Sequence, residues 1–248
     1  MLIEQCAYAN RWRRVSPAAK AIFALCGVVA SFVAGTPLAA AAVVCLLAVV
    51  TWIGAGIPIG RYLRVAAPAF FFLATSCLSL ALSLGSDSDS GALSLHLTPD
   101  GLRKVAEVSS RSLGALAALL FLVLTTPLID LIALLRRLKT PEVLLEIMVL
   151  CYRMLFVFSD AVHDTLTAQS ARLGYATSRL ALRSLGGLAA NLTVQVWQRA
   201  HDLHIAAQAR NNDGPLRFLE PTFANAGLDS ALAAASGGLL IALAVVLS

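Results

Sequence analysis

The chain has 248 residues, of which 58% are hydrophobic and only 13% charged, with a net charge of +5 and a mean hydropathy of +0.79. Soluble domains carry about 25% charged residues, so this composition excludes disorder, a collagen-like fibre, a disulfide scaffold and an ordinary soluble enzyme. What remains is a membrane protein, and the placement of its few charges decides which kind.

The first twenty residues hold Arg11, Arg13, Arg14 and Lys20 against Glu4. Basic residues before an apolar run suggest a signal peptide, but the run is too long and a second follows almost at once. The first helix is therefore read as retained. Residues 21–60 contain no Asp, Glu, Lys, Arg or His, and the same holds for 65–86, 112–129 and 230–248. A helix needs about 20 apolar residues to cross the hydrocarbon. The first block is twice that length and is broken near its middle by Gly35-Thr36-Pro37, a turn signal. Five spans are expected: Pro17–Ala34, Pro37–Ile53, Val65–Leu84, Ser112–Leu128 and Leu228–Leu247. The alternating ten-residue pattern of a membrane barrel is missing, and helices are the other structure that lipid permits. The fold class is all-α, with about five transmembrane helices and a set of amphipathic helices on the cytoplasmic side.

Basic residues near span ends set the orientation. Residues 1–20 carry a net +3 and residues 61–64, with Arg61 and Arg64, a net +2. Residues 85–111 carry a net −1. The N-terminus and the 54–64 loop are thus placed in the cytoplasm and 85–111 outside, in a multi-pass protein of the cell's inner membrane. Gly85-Ser86-Asp87-Ser88-Asp89-Ser90-Gly91 is expected to be a flexible polar loop. Thr98-Pro99-Asp100 then opens the helix that feeds the fourth span. Three domains follow: 1–129 with four spans, 130–228 as a cytoplasmic domain, and 229–248 as the last span.

Residues 130–228 hold ten Lys/Arg and eight Asp/Glu, more than half of the chain's charged side chains. Leu128–Leu138 reads as an amphipathic helix ending in Arg136-Arg137-Leu138-Lys139. Thr140-Pro141-Glu142 reads as the next start, with Thr as cap, Pro at the first helical position and an acid in the first turn. The helix from Val143 to Phe158 is too apolar for water yet carries Arg153. It is expected against the membrane face with Arg153 snorkelling or paired, a sixth imperfect span being the competing reading. One further helix runs through Ser159–Arg172 and stops at Leu173-Gly174. Another runs from about Leu188 to Arg210 and stops at Asn211-Asn212-Asp213-Gly214-Pro215. Each ends in small residues around one arginine: Ala168-Gln169-Ser170-Ala171-Arg172 and Ala206-Ala207-Gln208-Ala209-Arg210. Small side chains let another backbone approach, and a guanidinium presents a fork of donors to carboxylates or carbonyls. The plain alternative is an arginine meeting the negative end of a helix dipole.

These stretches carry a resemblance to a known family. Ala7-Tyr8-Ala9-Asn10-Arg11-Trp12-Arg13-Arg14-Val15-Ser16-Pro17, Pro127–Lys139, Met148–Phe158 with Tyr152-Arg153, Ala168–Tyr175 and Ala207–Arg210 resemble the transmembrane T component of cobalt/nickel-type energy-coupling-factor (ECF) transporters. That family closes two coupling helices with Ala-Arg-Gly-like motifs. By resemblance these are Ala171, Arg172, Leu173 and Ala209, Arg210, Asn211, with Leu173 and Asn211 standing where Gly is usual. The resemblance implies a non-catalytic scaffold between a cytoplasmic ATPase pair and a substrate-binding membrane subunit, the metal-binding S component. A small accessory membrane subunit would be a further partner. No cofactor and no metal are implied on this chain, because the S component holds the cobalt or nickel.

The residues agree with that division. A phosphate-cradling loop ends in Gly-Lys, but Lys20, Lys104 and Lys139 follow Ala19, Arg103 and Leu138. The competing class is a membrane enzyme with a cytoplasmic-face site around His201, His204 and Arg153. His201 and His204 are three apart on a helix, a spacing that can hold a metal, but Asp202 falls elsewhere on the helix and neither a Cys nor a third His follows nearby. His163-Asp164 reads as helix surface, and His96 lies alone in the outer loop. Cys6, Cys26, Cys45, Cys77 and Cys151 read as small buried hydrophobes. Asn191-Leu192-Thr193 matches a glycosylation acceptor but is placed in the cytoplasm. The basic balance is explained by topology and anionic lipid, with no nucleic-acid partner.

Overall fold

The computed structural model describes residues 2–81, 83–86, 93–96, 99–211, 223 and 226–247. It divides into two compact units, one of residues 1–134 with 221–248 and one of residues 135–220.

The first unit opens with a short helix α1 (Leu2–Ala9) and a 3-10 turn, Arg11–Arg14, neither of which was anticipated. Ser16 and Thr36 then each cap a helix that has proline at its start. Their hydroxyls accept from the backbone N–H of Ala19 and Ala39, both at 3.3 Å. The helices are α2 (Pro17–Val33) and α3 (Pro37–Val49), so Gly35-Thr36-Pro37 is the turn the sequence predicts. A π-helical turn, Val50–Gly54, extends α3. Helix α4 (Ile59–Ala81) starts earlier than expected, which puts Arg61 and Arg64 in its first turns. Helix α5 (Pro99–Thr125) begins at the predicted proline and runs unbroken into the fourth span. Helix α9 (Ala226–Val246) is the last span. Among the described residues, four helical segments have the length and hydropathy to cross a bilayer, and Pro17–Val33 is a shorter apolar helix.

The segment expected to be a flexible polar loop, 85–91, departs from expectation. Ser83–Ser86 (β1) pairs antiparallel with Leu93–His96 (β2), so Gly85 and Ser86 lie in a strand and not in a free loop. Residues 87–92 lie outside the described residues.

The interior of this unit is built from small residues. Ala30, Ala34, Ala39, Ala40, Ala117, Ala118 and Ala244 are all buried and cluster with Val43, Leu47 and Leu240. Lipid tails are as apolar as leucine, so spans gain little from burying large side chains and much from close van der Waals packing. Gly114 of α5 shows this: a Cβ there would collide with the Ser31 side chain of α2. The outer faces are apolar in turn, with Leu38, Phe71 and Phe72 each more than 70% exposed. Such side chains suit hydrocarbon. Cys6 is buried, but Cys45 and Cys151 are exposed on the isolated chain, a correction to their reading as buried hydrophobes.

Helix α6 (Leu128–Arg137) leads into the second unit, which consists of two long helices, α7 (Glu142–Ala171) and α8 (Ser178–Ala209). Three expectations change here. The predicted segments Val143–Phe158 and Ser159–Arg172 are one continuous 30-residue helix, since nothing between them breaks the helix. Helix α8 begins ten residues before Leu188, because the Thr177 hydroxyl caps it by accepting from Leu180 N–H at 3.4 Å. Thr140 does not cap α7: its hydroxyl turns back to donate to the Leu135 carbonyl at 2.8 Å, closing α6. Lys139 adopts φ +59° to make that reversal. Helix α7 is not among the segments with the length and hydropathy of a span, which disfavours the sixth span. Arg153 is exposed, with no carboxylate partner among the described residues.

Candidate functional site

The ends of α7 and α8 have the same local build. Helix α7 closes at Arg172, with φ −92° and ψ 15°. The next residue, Leu173, turns left-handed at φ +57°. Leu173 N–H donates to Ser170 O at 3.0 Å, and Gly174 N–H reaches back to Gln169 O at 2.9 Å. These two bonds make a Schellman motif, which satisfies carbonyls the helix end would leave open. Helix α8 closes at Arg210, with φ −97° and ψ 11°. Asn211 then takes φ +51°, and its N–H donates to Gln208 O at 2.9 Å. The rest of the predicted stop, Asn212 to Pro215, lies outside the described residues.

Leu173 and Asn211, which the resemblance matches to glycines, are thus the positions where this backbone turns left-handed. Asparagine tolerates that region; leucine is strained by roughly 1–2 kcal/mol. Ala171, Arg172 and Leu173 are all exposed, as are Ala209, Arg210 and Asn211. Neither guanidinium has an ion-pair partner among the described residues. Helix α8 has 32 residues, a length of about 48 Å, and the two arginine ends stand on either side of it.

The first end is locked by side chains that the sequence reading did not single out for this. Gln169 Nε2 donates to Ser184 O at 3.0 Å, and its Oε1 accepts from the Tyr175 hydroxyl at 2.7 Å. The Ser184 hydroxyl donates to Gly174 O at 2.9 Å. Gly174 is needed for this approach. A Cβ on it would lie 2.7 Å from Ser184 Oγ and 2.9 Å from Gln169 O. The elbow between α7 and α8 is thus a fixed corner that presents Arg172 outward.

A second polar cluster lies in the first unit, where α5 meets α6. Lys20 is 2% exposed, and its Nζ donates to Thr125 O at 3.0 Å. Asn10 Nδ2 donates to the same carbonyl at 2.9 Å and to Ala7 O at 2.7 Å. Thr125 ends α5, so a buried ammonium sits at the negative end of its helix dipole. Asp130, 5% exposed, lies in the first turn of α6, at the positive end. Arg13 Nη1 is 3.9 Å from Asp130 Oδ2, an ion pair without a hydrogen bond. The Arg13 guanidinium also lies 4.3 Å from the Tyr8 ring centroid. Burial pushes the Asp130 carboxyl above its ordinary pKa, and the charges of Arg13 and Lys20 only partly offset that. The sequence signal was available: Lys20 and Asp130 are the charges nearest two apolar blocks.

The residues of the enzyme reading are only partly gathered. Arg153 and His204 line one cleft between α7 and α8, but His201 is not in its lining.

Apolar helices with lipid-suited exteriors, followed by a long hairpin of exposed helix ends, define a multi-pass integral membrane protein. The family model of the cobalt transport protein CbiQ matches residues 9–218. The chain is 34% identical over 218 residues to the cobalt transport protein CbiQ of Rhodobacter capsulatus, covering 88% of this chain and 86% of that one. It is 28% identical over 204 residues to the cobalt transport protein CbiQ of Salmonella typhimurium, covering 79% and 90%. The chain belongs to the CbiQ family, the T-component family of ECF-type cobalt transporters.

Proposed function

We propose that this chain is the coupling scaffold of an ATP-driven importer of cobalt or nickel. It carries movement from a cytoplasmic ATPase pair to a substrate-binding membrane subunit that holds the metal, with a small accessory membrane subunit as a further partner. The N-terminus and residues 130–228 face the cytoplasm, and the spans in 1–129 and 229–248 carry the response across the membrane. The chain itself catalyses nothing: its lysines offer no phosphate-cradling loop, so ATP hydrolysis belongs to the partner.

One observation carries this reading. Two exposed Ala-Arg ends leave their helices through the same left-handed turn, with the whole of α8 between them. Two like tips about 48 Å apart suit two like partners, one tip in a groove of each ATPase. Each guanidinium offers its five donors to carboxylates or helix-end carbonyls there. The Gln169–Ser184–Tyr175 lock supports the same reading, because a rigid corner transmits displacement where a loose loop would absorb it.

The test is partner dependence. The chain is co-expressed with a P-loop ATPase pair and a metal-binding membrane subunit, and ATP hydrolysis is measured on the purified assembly. Co-purification with hydrolysis that responds to this subunit supports a scaffold. Turnover of a substrate by the chain alone would support the enzyme class instead.

A further inference from the structure

Between α7 and α8, wholly within the second unit, runs a cleft of about 710 Å³. Its floor is apolar, with Val149, Leu150, Met154, Phe158, Val196 and Leu203 among its lining. Its polar members include Arg153, Arg199, Arg210 and His204. The lining contains no Asp or Glu. Among the described residues none of the three arginines is ion-paired.

We propose that this cleft binds an anionic phospholipid. The lining asks for two things at once. Arg153 on α7 and Arg199 on α8 line the cleft with no carboxylate in the lining, and guanidiniums so placed call for phosphate oxygens, which match their planar fork of donors. The apolar floor calls for hydrocarbon, because leaving it in water forfeits the free energy of burial. A phospholipid of net negative charge carries both groups on one molecule. A free phosphate or nucleotide would leave the floor unfilled. A purely apolar helix laid in the cleft would bury guanidiniums with nothing to neutralise them, which is costly. The chain is an integral membrane protein with spanning helices, and basic groups near a membrane draw anionic headgroups.

Arg210 is left to the ATPase docking proposed above, so the test changes only Arg153 and Arg199. The purified chain in detergent is offered phosphatidylglycerol or phosphatidylcholine, and retained lipid is counted by native mass spectrometry. The expected result is one phosphatidylglycerol retained in preference to phosphatidylcholine. R153Q with R199Q should weaken that retention on the order of tenfold or more. Cys151 provides a second readout, because it lines the cleft and is exposed, while exposed Cys45 lies elsewhere in the chain. Phosphatidylglycerol should slow maleimide labelling of Cys151 and leave Cys45 unchanged. Equal retention of both lipids, or undiminished retention by the double variant, would overturn the proposal. So would protection of Cys151 only when the substrate-binding subunit is present, with no effect of lipid, which would assign the cleft to a protein helix.

Discussion

Leu173 and Asn211 share one backbone conformation, at φ +57° and +51°, and each stands one residue after the arginine that closes a long helix. The two positions are chemically unlike, one a branched apolar side chain and the other a small amide. The common geometry is therefore imposed by the helix endings.

That strain is testable. Leu173 is 73% exposed, so its side chain contributes little packing to offset the left-handed turn. Leu173→Gly should raise stability by about 0.5–1 kcal/mol, the relieved strain less the added freedom of the unfolded glycine. Leu173→Val should lower it, because a β-branched residue fits that region worst. Thermal unfolding of the detergent-solubilised chain reads both. A stabilising valine would contradict the geometry.

Gly174→Ala should do the opposite of Leu173→Gly. The new methyl would press on Ser184 Oγ and Gln169 O, at a cost of about 1–3 kcal/mol. Adding Ser184→Ala should restore only part of the loss, because the Gln169 carbonyl is backbone and stays. Hydrogen exchange at the start of α8 should accelerate in the single variant. An unchanged exchange rate would show that the corner is not held by this contact.

Lys20 should be needed for the stability of the first unit. Lys20→Met keeps the chain length but removes the ammonium from Thr125 O. The lost charge-assisted bond is worth about 2 kcal/mol, read as a lower melting temperature. A variant as stable as the parent would show that the buried ammonium contributes no net stability.

Asp130 predicts a pH dependence of definite sign. Burial raises its folded pKa above the ordinary value of 3.8. The folded form thus holds its proton more tightly than the unfolded chain does. Its contribution to stability is fully present below 3.8 and is lost as the pH rises through the folded pKa. Acidification from neutral towards that value should favour folding through this group, and Asp130→Asn should remove that part of the profile. Parallel profiles for parent and variant between neutral pH and pH 4 would contradict the assignment.

The spans were legible because charge is so scarce: four blocks without an ionisable group mark five helices, with α2, α3 and α9 close to their expected bounds and α4 and α5 beginning well before their blocks. Ser16-Pro17 and Thr36-Pro37 fixed two starts, since a hydroxyl cap followed by proline has few other uses. Long helices in the second unit were harder to delimit. Helix α7 changes from apolar to polar near Ser159, and that change of surface was read as an end although the backbone continues. Thr140 illustrates a different limit, because a hydroxyl between two helices can serve either, and only the chain reversal at Lys139 decides. The arginine ends were visible as motifs, whereas the Gln169–Ser184 lock joins residues 15 apart and the Lys20–Thr125 bond residues 105 apart. Contacts of that kind depend on packing and have no local pattern.

The most direct test of the coupling reading is metal uptake by the assembled transporter carrying Arg172→Ala together with Arg210→Ala. Both side chains are exposed and have no ion-pair partner among the described residues, so the variant should insert and fold as the parent does. The account predicts that it remains in the membrane in parental amounts while cobalt uptake is abolished. Uptake at the parental rate would contradict it.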